Sequence, residues 1–167
     1  MLSRNDFTAE QWQALRNAPQ LVALATAASG NSGLFGSLSE GMATASAIAE
    51  ASRGEHALIR EIFGKDEIRA AQEQIRDLLK SAPDKSLLNA RLQQAATDSI
   101  SAALEALSGK GAPADADAYC TLLQGVAEKV AKASTEGGFL GFGGERISEG
   151  ERQFLSQLDS LLGTRTA

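Results

Sequence analysis

The chain has 167 residues, a net charge of −5 and a pI near 4.9. This length fits one domain with a substantial core, and the content of 43% apolar and 22% charged residues is ordinary for a globular protein. The acidic balance, with no dense run of Lys and Arg, excludes nucleic acid as an expected partner.

Cysteine content and apolar runs bear on the expected compartment. Cys120 is the single cysteine, so an intramolecular disulfide framework and a cysteine-cluster zinc site are excluded. Residues 1–6 lack the apolar core of a signal peptide, and no segment has the 18 or so apolar residues of a membrane span. We therefore expect a cytoplasmic protein.

The first predicted element is a helix that begins after Thr8. Thr8 is a good N-cap, and Gln11 at the third helical position completes a capping box. Phe7 and Trp12 flank this start and are placed to form a hydrophobic staple.

A proline is predicted to divide the following run into two helices. Pro19 suits an early helical position, with Asn17 as a possible cap. This pattern predicts a second helix over residues 19–28.

The rest of the chain shows helical periodicity, and no stretch shows sustained two-residue alternation. Asp66 is the predicted cap of one of these helices, and Pro83-Asp84 precedes the longest. The fold prediction is all-α, a single helical bundle of about six to eight helices over residues 1–167. The further predicted helices cover about 38–52, 55–63, 66–80, 84–107, 114–134 and 148–162.

An internal repeat is also predicted. Two segments, around 18–53 and 114–162, share one order of features: a helix, a glycine-rich loop with a phenylalanine, and a second helix that begins at a serine. The landmarks match at a nearly constant offset, and they are Val22 with Val130, Phe35 with Phe142, and Ser39 with Ser148. A constant offset favours a pseudo-twofold pair of helical hairpins, although chance similarity in an Ala/Gly/Ser-rich chain is the alternative.

The second glycine-rich loop, residues 136–151, carries three large apolar side chains, Phe139, Leu140 and Phe142. They either fold back over the core between two helices or form an exposed tip that contacts a partner or a membrane surface. The loop does not match a phosphate-binding motif, because Gly144 is followed by Glu145 and Arg146 where a Walker motif needs Lys and Ser or Thr.

Four carboxylates around this loop allow two interpretations. Hard cations bind carboxylate oxygens, so the group is a candidate divalent-cation site, although its spacing fits no EF-hand. Alternatively Ser148 caps the last helix, with Glu151 completing the capping box and Glu149 complementing the helix dipole. The candidate metal ligands are Glu136, Glu145, Glu149 and Glu151.

Residues suited to catalysis are few. His56 is the only histidine, and no partner for it is evident from the sequence. Cys120, beside Tyr119 on an apolar helix face, fits a buried and inert thiol. Asp115 and Asp117 fit ordinary charges in the first turn of a helix. We predict no enzyme, no catalytic residue and no cofactor other than the alternative cation.

The segment around 130–152 resembles the helix–loop–helix signature of TerB-like proteins of the tellurite-resistance group. The alanine-rich residues 130–133 lead to Glu136-Gly137, and Ile147-Ser148 precede Glu151. The family has Asp where this chain has Glu136, and its loop is shorter. The resemblance implies a compact helical bundle, a cation role for acidic residues near the loop, and a part in bacterial stress or membrane-associated complexes.

These observations together predict a non-enzymatic bacterial accessory or scaffold protein that acts through a protein partner or as a homodimer. The alternatives are a divalent-cation-binding stress protein of the TerB-like kind and peripheral contact with a membrane surface through the Gly/Phe loop.

Overall fold

The structure, a computed structural model, describes residues 1–30, 49–50, 53–54, 56–81, 84–136 and 148–163. Within these residues the chain forms six α-helices, a short 3-10 turn at Arg4–Asp6 and no strand, so the all-α prediction is confirmed. The helices are α1 (Ala9–Ser29), α2 (Ala57–Ile62), α3 (Lys65–Lys80), α4 (Lys85–Ser108), α5 (Pro113–Glu136) and α6 (Glu149–Gly163).

The first helix is the centre of the bundle. α1 packs most extensively against α4 and next against α5, and it also contacts α3 and α6. Its residues are buried on nearly every side from Trp12 onward, including Leu15, Val22 and Ala25. A helix that is apolar all round belongs in the interior. α1 contributes to both clusters of the core, of which the larger joins it to α2, α4, α5 and α6.

The predicted break at Pro19 is wrong, because α1 runs continuously from Ala9 to Ser29. Pro19 has no N–H with which to bond the carbonyl oxygen of Leu15 four residues earlier. The buried hydroxyl of Tyr119, on α5, donates to that same oxygen at 2.8 Å. A donor from another helix thus supplies a hydrogen bond at the point where the proline cannot, and the helix continues.

Other helix boundaries follow local signals. The Thr8–Gln11 capping box is confirmed, and the rings of Phe7 and Trp12 lie 5.9 Å apart between centroids. Asp84 caps α4 by accepting from the Leu87 backbone N–H. The predicted Asp66 cap is wrong by two positions. Gly64 occupies the N-cap of α3, and Asp66 lies in its first turn, where the helix dipole favours a carboxylate.

The predicted repeat is described only in part. The second unit, around 114–162, contains the helices α5 and α6, and in the first unit residues 19–28 lie inside the longer α1. The helix predicted over 38–52 falls mostly outside the described residues, so the pseudo-symmetry stays a prediction.

Candidate functional site

The start of α6 lies against the end of α1. The Ser148 hydroxyl donates to the Ser29 carbonyl oxygen at 3.0 Å, while its oxygen accepts from the Glu151 backbone N–H at 3.1 Å. The Glu151 carboxylate accepts in return from the Ser148 N–H at 2.9 Å. The predicted capping box is therefore present, and it also ties two helices together.

Two glycines allow the helices to approach this closely. A methyl group on Gly150 would lie 2.6 Å from the Ser29 carbonyl oxygen, a separation that Cβ atoms essentially never show. A methyl group on Gly30 would lie 3.2 Å from a carboxylate oxygen of Glu151. Gln93 on α4 also donates to the Ser29 hydroxyl at 2.9 Å. The α1–α6 junction is thus a tightly packed meeting point of three helices.

The junction includes part of the predicted cation site. Glu151 is 2% exposed, and its carboxylate serves the helix start. Glu149 is exposed in the same first turn. Glu145 and the side chain of Glu136 lie outside the described part of the chain, and within that part no three His, Cys, Asp or Glu side chains are grouped as metal ligands. The four-carboxylate site stays a prediction.

The predicted contact residues Phe139, Leu140 and Phe142 also lie outside the described residues. The described ends of their segment belong to α5 and to the junction, since α5 ends at Glu136 and α6 is capped by Ser148. Both alternatives for these side chains stay predictions.

His56 and Asp115 form a pair that the sequence did not reveal. The His56 Nε2 lies 3.3 Å from one carboxylate oxygen of Asp115, and the backbone N–H of Leu2 donates to the other at 3.1 Å. Asp115 is only 3% exposed. Asp115 lies in the first turn of α5, as expected, but it is not an ordinary surface charge, because it is buried, accepts from the Leu2 N–H and lies against His56 at the start of α2.

Cys120 lies away from the His56–Asp115 pair, at a cleft near the start of α5. It is half-buried and lines a cleft of about 240 Å³ with Leu104, Leu107 and Leu162. The cleft is formed where the turn between α4 and α5 meets the end of α6. The only histidine, His56, has its Nε2 beside Asp115 and is not seen to pair with Cys120 among the described contacts.

A second apolar cleft, of about 290 Å³, separates α2 from α5 and is open at the surface; we call it the α2–α5 cleft. Its walls include Ile59, Leu122 and Val126, and the Thr121 hydroxyl and the Lys129–Glu50 ion pair supply most of its polar groups. The described residues that line it are Glu50, Gly54, Ile59, Ala118, Thr121, Leu122, Gly125, Val126 and Lys129.

Gly125 is the unusual residue of this cleft. It lies in the middle of α5, where glycine costs about 1 kcal/mol relative to alanine. Apart from its two chain neighbours and the adjacent backbone of α5, no heavy atom of the described residues would come within 4 Å of a methyl group there. Packing within the described chain therefore does not require a glycine. An isolated glycine inside a helical pattern is visible in the sequence, and it is the signal that marks this site.

No family model, curated protein or solved structure matches the chain in comparisons with known proteins. The resemblance to TerB-like proteins is therefore neither supported nor contradicted by a match. Among the described helices, none combines the length and the apolar character needed to cross a bilayer.

Proposed function

We propose that the protein is a non-enzymatic accessory or scaffold protein that acts by binding another protein chain through the α2–α5 cleft. The observation that carries this proposal is the open cleft beside Gly125. A glycine in the middle of α5 lowers the stability of the helix, and no described contact requires it. A glycine at such a place lets another backbone or side chain approach the helix closely.

The composition of the cleft favours a protein partner over a small molecule. Small-molecule pockets commonly enclose about 300–1,000 Å³ and carry several convergent polar groups. This cleft is at the lower edge of that range, at about 290 Å³, and is open to solvent. A depression of this size suits one anchoring side chain of a partner, the arrangement in which interface residues contribute most to affinity.

Crosslinking in the native host tests this proposal. We would place a photoreactive benzoylphenylalanine at Thr121, which is exposed at the cleft, and at Ser101, an exposed position on α4, as the matched control. We expect a protein adduct, identified by mass spectrometry, at Thr121 alone. Adding Gly125→Leu should fill the cleft and remove that adduct. Equal adducts at both positions, or none, would contradict the proposal.

The cation alternative has its own test. The test is thermal unfolding with and without excess Ca²⁺, Mg²⁺, Mn²⁺ or Zn²⁺. A ligand that binds the native state, at a hundred times its Kd, raises the free energy of unfolding by about 2.7 kcal/mol. A rise in the midpoint that is lost when the predicted ligands are changed to Gln would favour the cation-binding stress protein over the scaffold. The residues to change are Glu136, Glu145 and Glu149.

The membrane alternative is tested by measuring binding of the protein to lipid vesicles. Anchoring through Phe139, Leu140 and Phe142 would make sedimentation with lipid vesicles depend on these residues. Binding that is lost when the three are changed to Ser would favour this alternative, whereas vesicle binding that is absent in the wild type would remove it.

A further inference from the structure

We propose that α3 is a displaceable helix, which separates from α1 as a unit in the native state while α1, α4, α5 and α6 stay packed together. Neither the α2–α5 cleft nor its partner is involved. The observation behind this proposal is a polar contact between α1 and α3, in which two buried polar atoms have no hydrogen-bond partner among the described residues.

The central helix carries a polar stripe. Arg16, Asn17 and Gln20 lie on one side of α1, since helix positions three and four apart are neighbours around the axis. Asn17 is 7% exposed and Gln20 is 5% exposed, although Asn and Gln are mostly exposed in folded proteins. Polar side chains on a buried part of a core helix therefore need an explanation.

Side chains of α3 meet this stripe through hydrogen bonds. The Gln74 Oε1 accepts from the Asn17 Nδ2 at 2.8 Å and from the Arg16 Nη2 at 3.3 Å. Glu67 lies two turns earlier on α3 and accepts from the Arg16 Nη1 at 3.0 Å. Its second carboxylate oxygen accepts from Arg4, in the N-terminal segment, at 3.2 Å. Charged and amide groups thus make up an important part of the contact between the two helices.

The apolar part of the contact is small. Of the 16 residues of α3, Ala71 and Ile75 are the two that are buried. Ile68, Leu78 and Leu79 pack against the core while staying partly exposed. Burial of apolar surface is the dominant force that holds helices together in water. A helix that buries few apolar residues separates at a lower free energy than the rest of a bundle.

The two atoms without a partner are the Asn17 Oδ1 and the Arg16 Nε. The orientation of the amides is fixed by the donors that meet the Gln74 oxygen, because turning either amide would bring two oxygens or two donors together. A buried polar atom without a partner destabilises the closed arrangement, and the same atom is hydrated once α3 has separated. Opening therefore restores hydrogen bonds that the closed contact leaves unmade.

Separation of α3 changes the surface of the bundle. Ile75 belongs to a core cluster that also contains Leu21 of α1 and Leu92 of α4. When α3 leaves, this cluster is uncovered on the side where Ile75 lay, beside the polar stripe of α1. The open state thus presents an apolar and polar face of α1 that is covered in the closed state.

Native-state hydrogen exchange of the purified full chain, measured at increasing urea concentrations below the unfolding transition, tests the inference. We expect the amides of α3 to share one opening free energy and one urea dependence. Both should be smaller than those of the α1 amides, because opening α3 exposes less surface than global unfolding does.

One substitution should stabilise the closed state. Asn17→Leu removes the unpartnered acceptor at similar side-chain size, while Arg16 still donates to Gln74. We expect the opening of α3 to become about tenfold less frequent, the change that corresponds to one unsatisfied buried group. Gln13→Leu, the same substitution at an exposed position one turn earlier on α1, is the matched control and should leave the exchange of α3 unchanged.

A second substitution should have the opposite effect. Glu67→Gln weakens the charged hydrogen bonds with Arg16 and Arg4. The opening of α3 should become about three- to tenfold more frequent, since the side chains involved are partly exposed and the loss is reduced by solvent. Glu73→Gln, the same substitution at an exposed position of α3, is the matched control.

Three results would overturn the inference. The first is exchange of the α3 amides at the same free energy and urea dependence as the α1 amides. The second is an Asn17→Leu variant that retains its helical circular dichroism and exchanges α3 no more slowly than the wild type. The third is an equal effect of Glu67→Gln and Glu73→Gln, and this comparison decides the matter if Asn17→Leu does not fold.

Discussion

The hydrogen bond from Tyr119 to Leu15 explains how α1 passes through Pro19, and removing it is the sharpest test of the fold. Tyr119→Phe deletes a buried donor that lies 2.8 Å from the Leu15 carbonyl oxygen. Tyr119 is fully buried, and a buried acceptor that loses its donor costs about 1–3 kcal/mol. For a chain of this length, 1 kcal/mol corresponds to roughly 2–4 °C in the unfolding midpoint.

A double-mutant cycle with Pro19→Ala isolates the mechanism. Alanine at position 19 has a backbone N–H that can bond Leu15 within the helix. Tyr119→Phe should then cost less in the Pro19→Ala background than in the wild type, with a coupling energy above about 0.5 kcal/mol. Urea unfolding followed by circular dichroism gives the four free energies. An equal cost in both backgrounds would refute the idea that Tyr119 compensates for the proline.

The same side chain gives the protein an alkaline limit. Burial, reinforced by the neighbouring Cys120, raises the pKa of Tyr119 well above its usual value of 10.0. The stabilising contribution of the neutral phenol is fully present below about pH 10. It is lost as the pH rises from there toward the folded-state pKa, because the unfolded chain ionises first, by at most about 1.4 kcal/mol per pH unit.

This alkaline limit can be measured directly, since Tyr119 is the only tyrosine. Tyrosinate absorbance should appear together with unfolding, and not before it. The free energy of unfolding of Tyr119→Phe should lack this part of the alkaline decline. Ionisation of the phenol in the folded protein near pH 10 would contradict the burial argument.

Three further substitutions test the joints of the bundle by urea unfolding. Gly150→Ala should destabilise the protein by about 1–3 kcal/mol, since its methyl group would meet the Ser29 carbonyl oxygen at the end of α1 at 2.6 Å. Gly163→Ala is the control, since its methyl group would have no heavy atom of the described residues within 4 Å, apart from its chain neighbours and the adjacent backbone of α6. Ser148→Ala removes the cap of α6 and should cost about 1 kcal/mol; a neutral result would mean that the cap adds nothing. Asp115→Ala should cost about 1–3 kcal/mol because the Leu2 N–H loses its buried acceptor, and an unchanged midpoint would show that the N-terminal segment is held by other contacts.

Local signals in the sequence predicted local structure well. The predicted caps at Thr8 and Ser148 are set by residues within one helical turn, and both are present. The break predicted at Pro19 failed because the compensating donor, Tyr119, lies 104 residues away in the chain. No local pattern contains that information.

The same limit applies to the candidate site. Glycine in mid-α5 is visible in the sequence, but the cleft beside it depends on α2 lying across from α5. The proximity of Asp115 and His56 likewise depends on tertiary packing. For this reason the sequence alone did not show that this first-turn carboxylate is buried. Periodicity identifies which helix faces are apolar, and only the packing decides which of them remain accessible.

The central position of α1 has a consequence for synthesis of the protein. Most residues of α1 are buried, and α1 is synthesised before the helices that cover it: the hydrogen-bond donor to Leu15 follows 104 residues later, and the donor to Ser29 follows 119 residues later. At a synthesis rate of about 5–20 residues per second, several seconds or more pass before α5 and α6 have been synthesised and can cover α1. During that interval the nascent chain exposes the surface that will become its core, so a chaperone that shields nascent apolar helices would have to cover α1 for longer than the helices that follow it.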